Sequence, residues 1–156
     1  MAVQIGQQAP DFTLYDTGKN AVTLSDYKGK TVLLLFFPFA FSRVCTSELC
    51  TVRDSMNMYG DGKAVVMGIS VDSLYTLARF KTDENFSFLL LSDFNKEVSA
   101  LYGALHEQFS YGMKGVSKRA AFIIDGEGFI RYAEVLENPG QLPNFELINK
   151  SLREIA

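Results

Sequence analysis

The sequence predicts an α/β domain, a mixed central β-sheet flanked by helices with a β-hairpin extension at the N-terminus. Two observations carry this. Apolar runs of strand length alternate with segments whose apolar residues recur at helical spacing, and the last third closes with a second hairpin pattern and an amphipathic helix. A third sets the scale: 156 residues, 47% of them hydrophobic, are enough for one compact domain with a full core. No internal repeat or low-complexity tract divides the chain, so residues 1–156 are expected to form that single domain.

Residues 12–14 and 21–24 are short extended pieces on either side of Asp16-Thr17-Gly18-Lys19-Asn20, a turn-forming cluster, and together they predict the hairpin. Ser25-Asp26-Tyr27-Lys28-Gly29 turns the chain into residues 31–37, TVLLLFF, a run with the character of a buried strand. Pro38 ends it, because proline cannot donate to a sheet ladder. The polar residues from Ser42 onward read as a helix start, and Gly60-Asp61-Gly62 is expected to end that helix. Residues 64–70 (AVVMGIS) form a second buried strand, followed by a helix over 73–84 with Leu74, Leu77 and Ala78 at helical spacing. A short strand over 88–91 and a short helix over 96–102 come next. Residues 103–117, with glycines at 103, 112 and 115, show no clean period and read as a long loop. Residues 119–124 (RAAFII) are a strand, Asp125-Gly126-Glu127-Gly128 a turn, and 129–134 the partner strand. After Pro139, Gly140 and Pro143 a final helix over 144–155 places Phe145, Ile148, Leu152 and Ile155 on one face.

A net charge of −3 with no basic run argues against a phosphate-binding surface, and nucleic acid is not an expected partner. The N-terminal residues carry neither a cationic segment nor an apolar h-region. The longest apolar run, residues 32–41, is broken at Pro38 and falls short of the ~20 residues that span a bilayer. The expected setting is the cytoplasm, with no membrane partner. Two cysteines are too few for a disulfide framework and in a reducing compartment read as buried thiols, metal ligands or redox catalysts.

Cys45 falls in the first turn of the helix that Ser42 is placed to cap. Buried and inert is the usual state of a free cysteine. A helix N-terminus, however, stabilises thiolate over thiol, and thiolate is the nucleophile. Glu48 lies three residues on, on the same helix face. A carboxylate touching the sulfur would oppose thiolate formation, so an ion pair with an arginine is its expected role. Arg43 is expected to face solvent. A thioredoxin-type disulfide exchanger would need Cys-x-x-Cys, and here the spacing is Cys45-x-x-x-x-Cys50. A metal site lacks ligands, since His106 is the single histidine and reads as a surface or packing residue. No cofactor and no metal are expected.

The stretch from Pro38 through Ser42 to Cys45 matches the peroxiredoxin pattern of proline, three residues, threonine or serine, two residues, cysteine, with Glu48 three further on. The likeness continues in GQQAPDFTL at the start, LSDF at 91–94 and AFIIDGEGFIRYAE after Arg119. The chain therefore resembles the peroxiredoxins over nearly its whole length. It is most similar to the alkyl hydroperoxide reductase E type, while Cys50 stands where the peroxiredoxin Q type, also called bacterioferritin comigratory protein, carries its resolving thiol.

This resemblance implies a thioredoxin-like fold and a thiol-dependent peroxidase acting on hydrogen peroxide and organic hydroperoxides. Cys45 would be the peroxidatic thiolate, oxidised to sulfenic acid as water or an alcohol leaves. Ser42 would hold thiolate and peroxide by hydrogen bonds, and Pro38 would shield the sulfur from water. Arg119 would stabilise the charge on sulfur and the charge developing on the departing oxygen. Lys118, its neighbour, should point to the other face of the strand. Phe39, Phe41 and Phe109 hint at tolerance for organic groups.

Cys50 would resolve the sulfenic acid as an intramolecular disulfide. On a regular helix five residues give a rise of ~7.5 Å and a rotation of about 140°, and a disulfide tolerates Cα separations only to ~7 Å. Closure therefore requires the helix start to unwind. Two alternatives stand beside this: a one-cysteine peroxidase reduced directly by an external thiol, with Cys50 a helix residue only, and a redox-regulated chaperone or interaction protein. The implied partners are a hydroperoxide, a thioredoxin-like, glutaredoxin-like or low-molecular-weight thiol reductant, and a second copy of the chain in a homodimer.

Overall fold

Strands β1 (Thr13–Asp16) and β2 (Ala21–Thr23) form the expected hairpin, in register Thr13↔Thr23, in a computed structural model that describes residues 3–56 and 64–155. Asp16 closes the turn by accepting from the N–H groups of Gly18 and Asn20. The hairpin is not a free-standing extension. β1 pairs antiparallel with β5 (Leu89–Ser92), so the hairpin continues the edge of the main sheet.

The other strands are β3 (Val32–Phe36), β4 (Val65–Ser70), β5 (Leu89–Ser92), β8 (Arg119–Ile124) and β9 (Ile130–Leu136), and the seven-stranded order is β2-β1-β5-β4-β3-β8-β9. β3, β4 and β5 run parallel, which requires crossovers. One of these contains helix α1 (Arg43–Asp54) and the other α2 (Leu74–Glu84). β8 is antiparallel to both β3 and β9, so the sheet is mixed. Every residue of β3 and of β8 is buried, because helices cover both faces and neither strand has a solvent side on which polar residues would alternate.

On one face Leu33, Leu35, Ala121 and Ile123 pack with Leu49 and Val52 of α1, Leu77 and Phe80 of α2, and Ile148 of α4 (Phe145–Ile155). The predicted stripe of Phe145, Ile148, Leu152 and Ile155 all joins this cluster. On the other face Leu34, Phe36 and Phe122 pack with Val98 of α3 (Glu97–Leu101), with Tyr102 and with the N-terminal segment. Among the described residues no helix is long and apolar enough to cross a membrane.

Residues 103–117 differ from the expected long loop. They contain a small antiparallel pair, β6 (Leu105–His106) with β7 (Val116–Ser117), joined through a 3-10 turn at Ser110–Gly112. Strands of two residues carry no periodic signal, and the hydrogen bonds that define them are visible only once the segment folds back on itself. Helix α1 ends at Asp54 with Ser55 as its C-cap. The expected terminator Gly60-Asp61-Gly62 lies outside the described residues.

Candidate active site

The site is built where the carboxyl end of β3 meets the amino end of β8. Their antiparallel register sets Phe36 opposite Ala120, so Arg119 starts its strand beside the loop that leaves β3. Alternation along β8 then decides direction: Ala121 and Ile123 face α1, and Arg119, two residues earlier, faces the same way. Lys118 turns aside and pairs with Glu137 at 2.7 Å, as alternation predicts.

Between β3 and α1 the chain passes through Pro38, which is buried and stands just after the last strand hydrogen bond, from Phe37 N–H to the Ile69 carbonyl at 2.9 Å. The loop is then pinned by Asp72, which accepts from the Ala40 N–H and the Ser70 hydroxyl, both at 2.7 Å. Burial pushes the Asp72 carboxyl up, against the pull of those two donors. Sequence reasoning missed Asp72. Its position just past the carboxyl end of a parallel strand, where such folds place their functional loops, was the available signal.

Ser42 occupies the N-cap position of α1 with extended backbone, as expected, but its side chain makes no capping bond. The hydroxyl donates instead to the Phe39 carbonyl at 2.9 Å. Its one proton is thereby engaged, and its lone pairs remain. Phe41, immediately before, is held at φ 70° with its ring on Phe80, centroids 5.0 Å apart. Arg43 is exposed, as expected.

Cys45 is fully buried, three residues past the cap. Arg119 Nη2 donates to Cys45 Sγ at 3.3 Å, and Arg119 Nη1 donates to Glu48 Oε1 at 2.6 Å. The same guanidinium is oriented by the Pro139 carbonyl, which accepts from Nη2 at 2.9 Å and from Nε at 3.3 Å. All three residues are 1% exposed or less. One rigid fork therefore touches the sulfur, a carboxylate and a backbone oxygen, an arrangement a lysine could not reproduce. Pro139 is another residue that sequence reasoning missed, because it acts through its carbonyl and no side-chain signal marks it.

Burial pushes the Glu48 carboxyl up to about 7, a larger effect than the stabilisation its ion pair with Arg119 supplies, and the charge of Glu134 adds to it. Glu48 Oε2 has no hydrogen-bond partner, which fits a carboxyl that readily takes a proton. For Arg119 burial works against the charge. Glu48 and the Cys45 sulfur more than offset it, so the guanidinium stays firmly protonated. A permanent cation thus donates to the buried sulfur at the helix start.

Cys50 sits on the same unbroken helix, half-buried, and both cysteines are free thiols. Its Sγ donates to Glu84 Oε2 at 3.4 Å, away from the Cys45 cluster. Phe39 and Phe109 meet edge to face, centroids 5.9 Å apart, and His106 packs on Phe109 at 5.5 Å, as a packing residue would. The structure thus joins Cys45 and Glu48 through Arg119, places Ser42 and Pro38 in the loop that leads to them, and leaves Cys50 on a separate set of partners.

The AhpC/TSA family profile matches residues 5–133 of the chain. Over 157 residues the chain is 38% identical to alkyl hydroperoxide reductase E of Mycobacterium tuberculosis, covering 99% of each. It is 38% identical over 130 residues, 82% of each chain, to peroxiredoxin Bcp of Bacillus subtilis. Among solved structures, peroxidoxin BcpB from Mycobacterium tuberculosis superposes with a TM-score of 0.86 at 28% identity, covering 99% of both chains.

Proposed function

The chain belongs to the AhpC/TSA family, its relatives are peroxiredoxins, and from that premise we propose that Cys45 is the peroxidatic residue of a thiol-dependent peroxidase. The Cys45 thiolate attacks one peroxide oxygen, the O–O bond breaks with its electrons, and the departing oxygen leaves as water or an alcohol after taking a proton. The observation that carries this assignment is the 3.3 Å contact from Arg119 Nη2 to a fully buried sulfur at a helix start. Arg119 stabilises the attacking sulfur and then the oxygen that gains charge. Pro38 keeps water from the thiolate, and Ser42 offers hydroxyl lone pairs at once and a donor after rotation away from Phe39. Glu48 fixes the fork of Arg119 from the side opposite the sulfur.

Hydrogen peroxide and organic hydroperoxides are the proposed substrates, and the Phe39–Phe109 pair supports the second class. Cys50 is proposed as the resolving thiol, followed by reduction by a thioredoxin-like, glutaredoxin-like or low-molecular-weight thiol in the cytoplasm. A homodimer through the loops around the site belongs to the same reading. Exposed Phe41, Tyr111 and Met113 are apolar surface such pairing would cover.

The test is intact mass and free-thiol count after one equivalent of peroxide. Wild type should lose about two mass units with both thiols gone, while Cys50→Ser should gain one oxygen. Cys45→Ser should consume no peroxide while keeping its fold. Consumption at the wild-type rate by Cys45→Ser would refute the assignment. A free Cys50 in oxidised wild type would leave a one-cysteine peroxidase.

A further inference from the structure

Cys50 is surrounded by charge that the peroxide step does not use. Its Sγ donates to Glu84 Oε2 at 3.4 Å. Glu84 is the last residue of α2, and Arg53, one turn beyond Cys50 on α1, reaches the same residue twice. Its Nη1 donates to the Glu84 carbonyl at 2.8 Å and lies 3.6 Å from Oε2. Arg53 also pairs with the neighbouring Asp54 at 2.9 Å. The cluster is partly open to water, with Arg53 and Glu84 side chains 32% and 30% exposed. A helix C-terminus favours positive charge, which Arg53 supplies.

The two halves of α1 are held differently, the first through Cys45 and Glu48 by Arg119 and the second by α2. Leu49 and Val52 are fully buried, and the Arg53–Glu84 contacts tie this half of the helix to α2. The first turn lacks a side-chain cap and follows Phe41 at φ 70°. Closure asks the helix start to unwind once oxidation of Cys45 disturbs its contact with Arg119, and unwinding confined to that end leaves Cys50 beside Glu84.

We propose that Glu84 is the general base of the resolving step, taking the proton from the Cys50 thiol as Cys50 Sγ attacks the Cys45 sulfenic sulfur. The S–S bond forms, the S–O bond breaks with its electrons, and the oxygen leaves as water carrying the proton that the thiol gave up. Thiol and sulfenic acid become disulfide and water, with no further oxidant or reductant. The inference rests on the assignment of Cys50 as resolving residue. Chemically the step needs a base, because burial and the hydrogen bond to Glu84 push the Cys50 thiol above its ordinary range, Arg53 only partly opposing them, so little free thiolate is present at neutral pH. Arg53, Asp54 and Glu84 are the charged groups that face it.

The experiment mixes reduced protein with one equivalent of hydrogen peroxide, quenches with acid at intervals, and follows by intact mass the conversion of the one-oxygen adduct into the disulfide, so that only the second step is read. Glu84→Gln should slow that conversion by about 10²-fold at pH 7, a typical loss for a removed general base. Its rate should climb nearly tenfold per pH unit between pH 6 and 8, where wild type stays flat. Glu84→Asp, which keeps a carboxylate, should recover part of the rate and the flat profile. Conversion in Glu84→Gln as fast as in wild type, or faster because a restraint on the thiol has been removed, overturns the proposal. So does an Asp variant that behaves like Gln. If wild type itself holds the one-oxygen adduct with Cys50 free, the resolving assignment fails and Glu84 has no step to serve.

Discussion

Helix α1 carries two cysteines, and each is matched with one glutamate and one arginine, yet the two sets are wired in opposite senses. At the first, Arg119 donates to Cys45 and the sulfur accepts, inside a cluster closed to solvent. At the second, Cys50 donates to Glu84 and the carboxylate accepts, at a half-open surface. The contrast teaches that the polarity of one hydrogen bond sorts chemically identical groups into different tasks. A sulfur that accepts from a cation is prepared to carry negative charge, and one that donates to an anion is prepared to lose its proton only when it reacts.

The largest effect should come from removing the cation that defines the first set. Arg119→Met is expected to lower kcat/KM for peroxide by about 10²–10³-fold, the range seen when one preorganised donor to a developing oxyanion is lost. It also leaves Glu48 buried without its partner, which costs about 3 kcal/mol when the charge stays in place. Because Glu48 can escape by taking a proton, the loss of stability should be greater at pH 8 than at pH 5. Denaturant midpoints at the two pH values measure this. A variant with unchanged kcat/KM would collapse the contrast between the two sulfurs.

The comparison also marks what a sequence can express. Arg119 was legible through the peroxiredoxin pattern, since an arginine opening a strand is by itself more often a solvated end residue. Glu48 was legible through helical spacing, the same family pattern and the argument that a carboxylate would not be left against a thiolate. The buried runs at β3 and β8 announced the centre of the sheet. What stayed hidden depends on tertiary approach: the Pro139 carbonyl, Asp72 under the Cys45 loop, and Glu84 thirty-four residues from Cys50. The two-residue strands β6 and β7 stayed hidden as well, since pairing rather than periodicity makes them strands. At Ser42 the position was legible and the bond was not, because a hydroxyl rotor chooses among local acceptors that only the folded loop defines.

A smaller effect tests how closed the first set is. Burial lifts Glu48 from an ordinary 4.5 to about 7 in the folded protein, so between these values the folded state holds a proton that the unfolded chain has released. Its stabilising contribution is complete below pH 4.5 and disappears as pH rises through 7. Wild type should lose up to roughly 1 kcal/mol per pH unit across that window from this group. Glu48→Gln, which cannot ionise, should remove that part of the slope. Urea midpoints of both proteins at pH 5, 6 and 7 decide it. Parallel curves would mean that Arg119 holds the carboxylate ionised throughout.

The smallest effect concerns how firmly each helix begins, on which the opening of α1 depends. Ser42 and Ser73 both stand at N-cap positions with extended backbone. Ser73 Oγ accepts from the Thr76 N–H at 3.2 Å, a true cap, whereas the Ser42 hydroxyl is turned to Phe39 and makes no capping bond to the first turn of α1. Removing a cap that is made costs about 1 kcal/mol. Losing an exposed hydroxyl bond to a nearby carbonyl costs no more than roughly 0.5 kcal/mol, the ordinary range for surface changes. Ser73→Ala should therefore lower the denaturant midpoint measurably, and Ser42→Ala by less than half as much. Equal losses would mean that α1 begins as firmly as α2, and the freedom that the proposed disulfide closure asks of its first turn would have to come from oxidation of the sulfur itself.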